Sequence, residues 1–361
     1  MIIKSLKLKD YRNYELLNIE FDKATNIFYG DNAQGKTNIL EAVYLSGTTK
    51  SHRGTRDRDL IRFGQEESHI ETIIEKNKVP WQIDMHLKKN SPKGIAINKV
   101  PIRKASELFG LMNFVFFSPE DLNIIKNGPA ERRRFMDLEL SQLDKVYLRD
   151  LANYNRIVNQ RNKLLKDAVY QSELIDTLDV WDMQLVAYVD KIIARRKKFI
   201  SEVNEIIDEI HYRLTGGKER ICLSYESGCG AYSLEAALKR NRERDIRTKS
   251  TSAGPHRYDI CFMAGELDIR KFGSQGQQRT AALSLKLSEI ELVKLIIRDT
   301  PVLLLDDVLS ELDKHRQNYL LDSIHDIQTL ITCTGLDEFV NHRFSINKVF
   351  HVLNGHVSNE N

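Results

Sequence analysis

Apolar and polar residues follow β-strand patterns along the first third of the chain. Residues 3–8 predict one strand, residues 17–21 alternate with period two, and residues 26–29 form a short apolar run that ends at Gly30. The later runs HIETIIE, WQIDMHL and NFVFF continue this pattern. We therefore expect a strand-rich region over residues 1–125.

The middle of the chain has a helical pattern. Between Pro129 and Gly216 there is neither glycine nor proline, the two residues that helix interiors avoid. Apolar residues recur at helical spacing within 151–158 and 192–207. This predicts two long antiparallel helices, ended by the Gly216-Gly217 pair, with a short α/β stretch to about residue 245. Residues 126–249 should form a mainly helical lobe.

Strand and turn patterns return in the last third. The segments RYDICFM and ELDIR flank Ala264-Gly265 and predict a hairpin. A helix to about Arg298 and a buried strand over residues 302–305 follow. Residues 1–125 and 250–361 are therefore expected to be the two halves of one α/β domain, with the helical subdomain inserted between them.

The overall charge does not point to a class of partner. The chain has 54 Lys and Arg residues against 51 Asp and Glu, so any nucleic-acid surface must come from local basic clusters. The spacing of Cys222, Cys229, Cys261 and Cys333 suits reduced thiols rather than a zinc site or a disulfide framework. No apolar run approaches membrane-spanning length, and we expect a cytoplasmic protein with no membrane partner.

One segment matches the phosphate-binding pattern GxxxxGK followed by Ser or Thr. It follows a predicted strand and precedes a predicted helix, the context that gives the pattern its meaning. The glycines let backbone N–H groups point at phosphate oxygens, while the lysine reaches the β- and γ-phosphates and the threonine hydroxyl binds Mg²⁺. The predicted ATP-binding residues are Gly30, Asp31, Asn32, Ala33, Gln34, Gly35, Lys36 and Thr37, with Lys36 also a catalytic candidate.

The buried strand at 302–305 ends in two carboxylates, Asp306 and Asp307. The carboxyl ends of parallel strands are where α/β sheets bind ligands. Asp306 and Thr37 are the predicted metal-side residues, and Asp307 is the predicted catalytic base that orients the attacking water. A helix N-cap is the alternative role for Asp307, and the two roles can coexist.

The segment FGSQGQQRT at 272–280 has the composition of a linker, yet a predicted helix follows it directly. A serine and flexible backbone at a helix N-terminus suit a second phosphate-binding loop, because unpaired N–H groups and the helix dipole favour an anion. Ser274, Gly276 and Gln277 therefore join the predicted ATP-binding residues.

An ordered set of motifs resembles the RecF family, short relatives of the SMC-type DNA-repair ATPases. The resemblance spans the whole chain and rests on YRNY, GDNAQGKTNILEA, KSHR, FSPEDL, ERRRFMD, GPHRYD, GSQGQQRT and LLLDDVLSELD. It implies an ABC/SMC-type P-loop ATPase head, in which residues 273–280 are the signature loop and residues 310–313 are the D-loop. In such heads the signature loop contacts the γ-phosphate held by a second subunit.

The resemblance also implies a function. Family members are expected to be ATP-dependent recombination mediators of DNA repair and replication, with roles in gap repair, RecA loading and SOS induction. The implied cofactors are ATP and Mg²⁺. The implied partners are single-stranded, duplex or gapped DNA, a second copy of the chain, RecR, and indirectly RecA. Weak, DNA-stimulated ATP hydrolysis would serve as a dimerisation switch, and whether the protein is an enzyme in its own right stays open.

Some positions depart from the family pattern or have more than one interpretation. FSPEDL lies where a glutamine loop is usual but has no glutamine, and Thr332-Cys333-Thr334 lies where a switch histidine is usual. The resemblance suggests that Arg12 and Asn13 touch the adenine or the α-phosphate, while a solvated turn explains them equally well.

Basic clusters at 50–58, 132–134, 195–198 and 239–249 are candidates for contact with the DNA backbone, with little sequence specificity. Arg53 also resembles the arginine loop of SMC heads, which approaches nucleotide or DNA. His256 and Arg257 suit either a structural or a functional role. The predicted DNA-binding residues are Arg53, Arg56, Arg195, Arg196, Lys197 and Lys198.

Two other function classes fit parts of the sequence. A metabolic P-loop kinase or a transporter-type ATPase would use the P-loop, but a kinase has no use for the GSQGQQRT segment and a transporter ATPase normally carries the switch histidine. A structural DNA clamp that binds ATP without turnover would use both loops. Transfer of phosphate to a small acceptor would favour the kinase, and an Asp307→Asn variant with unchanged hydrolysis would favour the clamp.

Overall fold

The strand and helix patterns of the sequence are realised in a computed structural model that describes residues 1–228, 233–336 and 347–360. The strands are β1 (Ile2–Tyr11), β2 (Tyr14–Glu20), β3 (Thr25–Tyr29), β4 (Glu67–Lys76), β5 (Val79–Lys88), β6 (Gly94–Ile97), β7 (Val100–Pro101), β8 (Phe114–Phe117), β9 (Cys222–Glu226), β10 (Asp259–Ala264), β11 (Leu267–Asp268), β12 (Val302–Asp306), β13 (Thr329–Cys333), β14 (Lys348–Leu353) and β15 (His356–Asn359). The α-helices are α1 (Lys36–Thr48), α2 (Asp57–Leu60), α3 (Leu122–Lys126), α4 (Pro129–Leu143), α5 (Lys145–Asp167), α6 (Leu178–Leu214), α7 (Leu234–Thr248), α8 (Ile269–Phe272), α9 (Gln275–Ile297) and α10 (Lys314–Ser323).

The chain forms two compact units. The first contains Met1–Asp121 and Lys286–Asn361, and the second contains Leu122–Leu285. An α/β head formed by the two ends of the chain, with a helical subdomain inserted between them, is therefore confirmed as the fold.

Within the described residues, the first unit contains two six-stranded sheets. One has the order β2-β1-β4-β5-β6-β7 with antiparallel neighbours, and it alternates buried and exposed side chains as a sheet with one solvated face does. The other has the order β15-β14-β3-β13-β12-β8 and is parallel except for the β14–β15 pair. Strands β8, β12 and β13 of this sheet are buried along their whole length, which explains their unbroken apolar runs.

The second unit combines helices with the three-stranded sheet β11-β10-β9. Helices α5 and α6 are antiparallel, because Arg196 of α6 donates to the Tyr147 hydroxyl near the start of α5, while Arg161 near the end of α5 pairs with Asp182 near the start of α6. The predicted hairpin at Ala264-Gly265 is present as the turn between β10 and β11.

The boundary of the second unit differs from the boundary expected from the sequence. The sequence predicts residues 250–285 in the C-terminal half of the ATPase domain, but β10 pairs with β9 of the helical part. Arg132 of α4 also forms a two-pronged ion pair with Asp259 at the start of β10. A strand pattern alone does not reveal which sheet the strand will join, and that is the source of the difference.

Among the residues that the structure describes, no helix combines the length and the apolar character needed to cross a bilayer. Cys222, Cys261 and Cys333 form no disulfide within that part of the chain, and Cys229 lies outside it.

Candidate nucleotide site

The P-loop connects β3 to α1 and has a backbone that only glycine can adopt at its two ends. Gly30 and Gly35 have φ angles of +147° and +112°. A Cβ on Gly30 would lie 2.4 Å from the carbonyl oxygen of Val352, and one on Gly35 would lie 2.4 Å from Nδ2 of Asn13. The loop therefore lies between the β1–β2 turn and the C-terminal hairpin. Both glycines are required by close contacts with these two segments as well as by their backbone conformation.

The YRNY turn supports the P-loop directly. Asn13 Nδ2 donates to the carbonyl oxygen of Gln34 at 2.9 Å, and Asn13 Oδ1 accepts from Asn38 Nδ2 at 2.8 Å. The Tyr14 hydroxyl donates to the carbonyl oxygen of Gly35 at 3.0 Å, and burial raises the pKa of Tyr14 so that it keeps this proton. The structure thus brings Asn13 to the phosphate loop, where it contacts the loop backbone at Gln34 and the side chain of Asn38 at the start of α1.

Arg12 is bound to a buried carboxylate. Its Nε and Nη2 atoms each donate to Glu41 of α1 at 2.9 Å, and the Ser51 hydroxyl donates to the same carboxylate at 2.5 Å. Burial opposes ionisation of Glu41, but the bonds from Arg12 and Ser51 outweigh it and hold the Glu41 pKa below its usual range. Arg12 therefore ties the YRNY turn to α1 and to the loop after it.

A polar cleft of about 190 Å³ opens at the P-loop, and its other walls are Arg53, Asp307 and Thr332. Lys36 Nζ donates to the carbonyl oxygens of Gly30 and Asp31 at 2.5 and 2.8 Å. Burial lowers the pKa of Lys36, although the nearby carboxylates, with Asp307 the largest contributor among them, favour its charged form. The lysine is therefore fixed at the wall of the cleft rather than extended into solvent.

The metal-side residues predicted from the sequence are in contact. The Thr37 hydroxyl donates to Asp306 Oδ1 at 2.7 Å, and Thr332 Oγ1 donates to the same oxygen at 2.8 Å. Burial raises the pKa of Asp306, and the two hydroxyl bonds counteract that effect. Hydroxyl and carboxylate oxygens are the donors that Mg²⁺ prefers, so this set fits the ion.

Asp307 lies at the rim of the same cleft in a left-handed backbone conformation with φ of 52°. Its N–H donates to Thr332 Oγ1 at 3.0 Å. The short 3₁₀ helix that follows begins at Leu309 with Val308 as its N-cap residue, so the alternative N-cap role of Asp307 is not observed. Thr332, at the position of the usual switch histidine, instead connects the Asp306 carboxylate and the Asp307 backbone N–H to β13, a role that its sequence pattern did not indicate.

A second, wider cleft of about 730 Å³ has Arg12 and Asn13 among its lining residues. Its wall includes the cations Arg58, Arg62 and Lys89 and the side chain of Phe63, which is fully exposed. An exposed aromatic ring among cations can stack on a base, a role that was not predicted for Phe63 from the sequence. The sequence feature that could have indicated this exposed ring is Phe63 in RDLIRFG, which follows a predicted basic cluster and breaks the apolar alternation.

The signature-loop residues form the start of α9 in the second unit. The Ser274 hydroxyl accepts from the Gln277 N–H at 3.2 Å, and the Gln277 side chain accepts from the Ser274 N–H at 2.9 Å, a reciprocal capping box. Gly276 has an ordinary backbone conformation, and a Cβ there would meet nothing closer than Ser274 Oγ at 4.0 Å. Nothing in the described residues of the chain requires glycine at this position.

The structure contradicts the DNA-binding prediction for Arg196. Its side chain is 1% exposed and donates to Asp137, Tyr147, Tyr225 and the carbonyl oxygen of Pro255. A buried guanidinium with these partners holds the helical unit together and does not reach DNA. A basic run on a helix alternates between exposed and buried faces, which is why a charge cluster alone misassigned it.

The other predicted DNA-binding residues are accessible. Arg56, Lys197 and Lys198 are exposed, and Arg195 is exposed while it pairs with Asp144 at 3.1 Å. Arg53 lines the polar cleft at the P-loop. This position favours contact of its side chain with a nucleotide over contact with DNA.

His256 and Arg257 stabilise the junction before β10. His256 Nε2 contacts the carbonyl oxygen of Thr251 at 3.0 Å, and its Nδ1 contacts the Tyr154 hydroxyl at 2.6 Å. Arg257 donates to the same carbonyl oxygen and to the Ser250 hydroxyl. Both side chains therefore have structural contacts.

Residues 2–358 match the family model described as the RecF/RecN/SMC N terminal domain. A relative from Agathobacter rectalis, named DNA replication and repair protein RecF, is 64% identical over 357 residues that cover 99% of each chain. A relative from Lachnospira eligens with the same name is 61% identical over the full length of both.

Two solved structures extend this comparison. One, described as the recombination mediator protein RecF-ATPrS in the RecFOR pathway, superposes with a TM-score of 0.92 at 32% identity and covers 100% of this chain and 98% of that one. An Smc head bound to the C-terminal winged-helix domain of ScpA superposes with a TM-score of 0.59 at 16% identity, over 99% of this chain and 97% of that one, and supports the fold alone.

Proposed function

Because the chain belongs to the RecF group of the RecF/RecN/SMC family, we propose that it is a DNA replication and repair protein that acts as an ATP-gated recombination mediator. The observation that carries this proposal is that one chain contains two features: the polar cleft at the P-loop, and the capped start of α9, where no contact within the described residues requires the glycine at position 276. Each of the two features lies in a different unit of the chain.

The nucleotide would be held by residues of the first unit. Backbone N–H groups of residues 30–37 and the Lys36 ammonium bind the phosphates, and the Phe63 cleft receives the nucleoside. Thr37 and Asp306 would hold Mg²⁺, which would offset the charge of the phosphates. Asp307 orients the attacking water, and Arg53 adds a positive charge at the phosphates.

The signature loop would act on a second copy of the chain. Glycine in a helix is less favourable than alanine by up to about 1 kcal/mol. Because no contact within the described residues requires glycine at position 276, we infer that contact with another molecule requires it. At Gly276 the missing side chain leaves room for a phosphate to approach the N–H groups of Gln275 and Gly276, the first-turn donors that the capping box does not use. We therefore infer that ATP joins two chains, with the γ-phosphate on the P-loop of one and the Ser274–Gln277 loop of the other.

Dimerisation would then control DNA binding. Closure brings together the exposed basic residues of two chains, so that the dimer holds the DNA backbone more tightly than the monomer. Slow hydrolysis, stimulated by DNA, returns the protein to the open state. The DNA is single-stranded or gapped, the protein acts in the cytoplasm with RecR, and it acts indirectly on RecA.

A binding experiment tests the proposal. Fluorescence anisotropy with single-stranded, duplex and gapped DNA should show ATP-dependent binding that weakens steeply with salt. A Lys36→Ala variant should retain only the binding measured without ATP, and a Ser274→Arg variant should bind ATP but stay monomeric by light scattering. DNA affinity that ATP leaves unchanged would rule out the gating, and phosphate transfer to a small acceptor would point to a kinase instead.

A further inference from the structure

Two histidines and a glutamate lie together on the open face of the antiparallel sheet in the first unit. His69 of β4 and His86 of β5 are directly opposite each other in the strand register, and Glu67 precedes His69 by two residues on the same face. The intervening Ser68 and the following Ile70 are buried, so all three polar side chains project from the outer face. Their side chains are 54%, 47% and 32% exposed for Glu67, His69 and His86.

The three side chains already converge. The imidazole rings of His69 and His86 are stacked with centroids 4.0 Å apart and planes 22° from parallel. His86 Nε2 lies 2.9 Å from one carboxylate oxygen of Glu67, and His69 Nε2 lies 3.8 Å from the other. One carboxylate therefore faces the same ring nitrogen of both histidines.

We propose that Glu67, His69 and His86 bind one divalent transition-metal ion of the Zn²⁺ class. Two imidazoles and a carboxylate form a donor set typical of three-ligand zinc sites, which leave the fourth position to water or to an outside donor. The choice of ion follows from the donors, because imidazole nitrogen selects zinc and its neighbours over Mg²⁺ and Ca²⁺.

Binding of one ion requires the two stacked imidazole rings to turn until their in-plane nitrogen lone pairs meet at one point. The donor atoms lie within 4.8 Å of one another. A tetrahedral ion with bonds of about 2.1 Å places its donors about 3.4 Å apart, so a pair of donors at the 4.8 Å limit would have to close by about 1.4 Å. Rotation of the exposed side chains supplies this movement, since the strand register already fixes the two histidine backbones.

The charged surroundings set a limit on affinity. Lys9 of β1 lies opposite His69, and Lys88 lies opposite Glu67, so two cations are close to the donors. Glu71 and Asp84, the next opposing pair along β4 and β5, are acidic and oppose them in charge. The site suits a single ion held with moderate affinity, and its nitrogen donors separate it chemically from the oxygen-lined Mg²⁺ position at Thr37 and Asp306.

Cobalt binding tests the assignment without reliance on activity. The metal-free full-length protein is titrated with Co²⁺, whose visible absorption reports tetrahedral nitrogen and oxygen ligation, and bound Co²⁺ is then displaced with Zn²⁺. We expect one equivalent, at least a tenfold loss of affinity in each of His69→Gln and His86→Gln, and a smaller loss in Glu67→Gln. All three positions are partly exposed, so the variants should keep the wild-type circular dichroism.

A matched control is His325→Gln, since His325 is an exposed histidine outside the cluster. It should bind Co²⁺ as the wild type does. The assignment is overturned if the wild type shows no tetrahedral Co²⁺ spectrum, or if the two histidine variants bind with unchanged affinity. Neither outcome affects the proposed ATP-dependent dimer, which is measured separately by light scattering.

Discussion

Replacing Gly276 with alanine is expected to leave the chain at least as stable while it weakens the ATP-dependent dimer. The added Cβ would meet nothing closer than Ser274 Oγ at 4.0 Å, so the substitution causes no clash within the described residues. The same change improves helix propensity and restricts the unfolded chain, effects worth about 0.4–1 kcal/mol.

The cost arises only when a second chain approaches. A methyl group at the start of α9 would block one charge-assisted hydrogen bond from the first turn to the partner's γ-phosphate. Such a bond is worth about 1.5–3 kcal/mol, and a symmetric dimer would lose one at each of its two shared sites, so dimer affinity should fall by roughly a hundredfold to ten-thousandfold. Nucleotide binding by the monomer should be unchanged, because the P-loop belongs to the other unit of the chain.

Two measurements separate these effects. Urea unfolding without nucleotide should give a free energy equal to or above that of the wild type, and light scattering with ATP should show a shift towards monomer. The control is Gly273→Ala, whose Cβ would lie 2.6 Å from the carbonyl oxygen of Ile269, so that this variant should lose stability. Wild-type dimerisation by Gly276→Ala, or a clear loss of stability, would refute the reasoning.

Three further predictions follow from the contacts of single side chains. Gly35→Ala should abolish binding of a fluorescent ATP analogue, because φ of +112° and the approach of Asn13 exclude a Cβ, and wild-type affinity would contradict the loop geometry. Arg196→Ala should lower the free energy of unfolding by about 3–5 kcal/mol. Lys197→Ala should leave that free energy within about 0.5 kcal/mol of the wild type and reduce the salt slope of DNA binding by about 1. Equal stability of the two variants would count against the structural role of Arg196. His256 has a pKa lowered to about 4 by burial, so between about pH 6.5 and 4 the unfolded state takes up the proton first and wild-type stability should fall by up to about 3 kcal/mol as the pH drops. His256→Gln should remove that part of the pH dependence, and an unchanged urea profile would exclude His256 as its source.

The sequence predicted most of the arrangement of the candidate nucleotide site, because its motifs depend on local order. The P-loop pattern, its flanking strand and helix, and the acid pair after a buried strand are each contained in a few residues. The contact of Thr37 with Asp306 follows once the two strands belong to one parallel sheet. These features needed no knowledge of long-range packing.

Other features depend on packing that the sequence does not reveal. Arg196 and Lys197 are adjacent in one basic run, yet one is buried in a hydrogen-bond network and the other is exposed. The pairing of β10 with β9 moved residues 250–285 into the helical unit. Thr332 gained its role only because β13 lies next to β12. In each case the fold brings together residues that are far apart in the sequence, or places sequence neighbours in different environments.

Mixing two inactive variants tests the central claim most directly. Lys36→Ala removes the P-loop lysine, and Ser274→Arg blocks the signature loop, so neither variant should dimerise with ATP alone. In a mixture, the intact P-loop of the Ser274→Arg chain can meet the intact loop of the Lys36→Ala chain, which restores one complete site per heterodimer. We predict that light scattering shows ATP-dependent dimers only in the mixture. Persistent monomers in the mixture, or ATP-dependent dimers of either variant alone, would contradict a nucleotide shared between two chains.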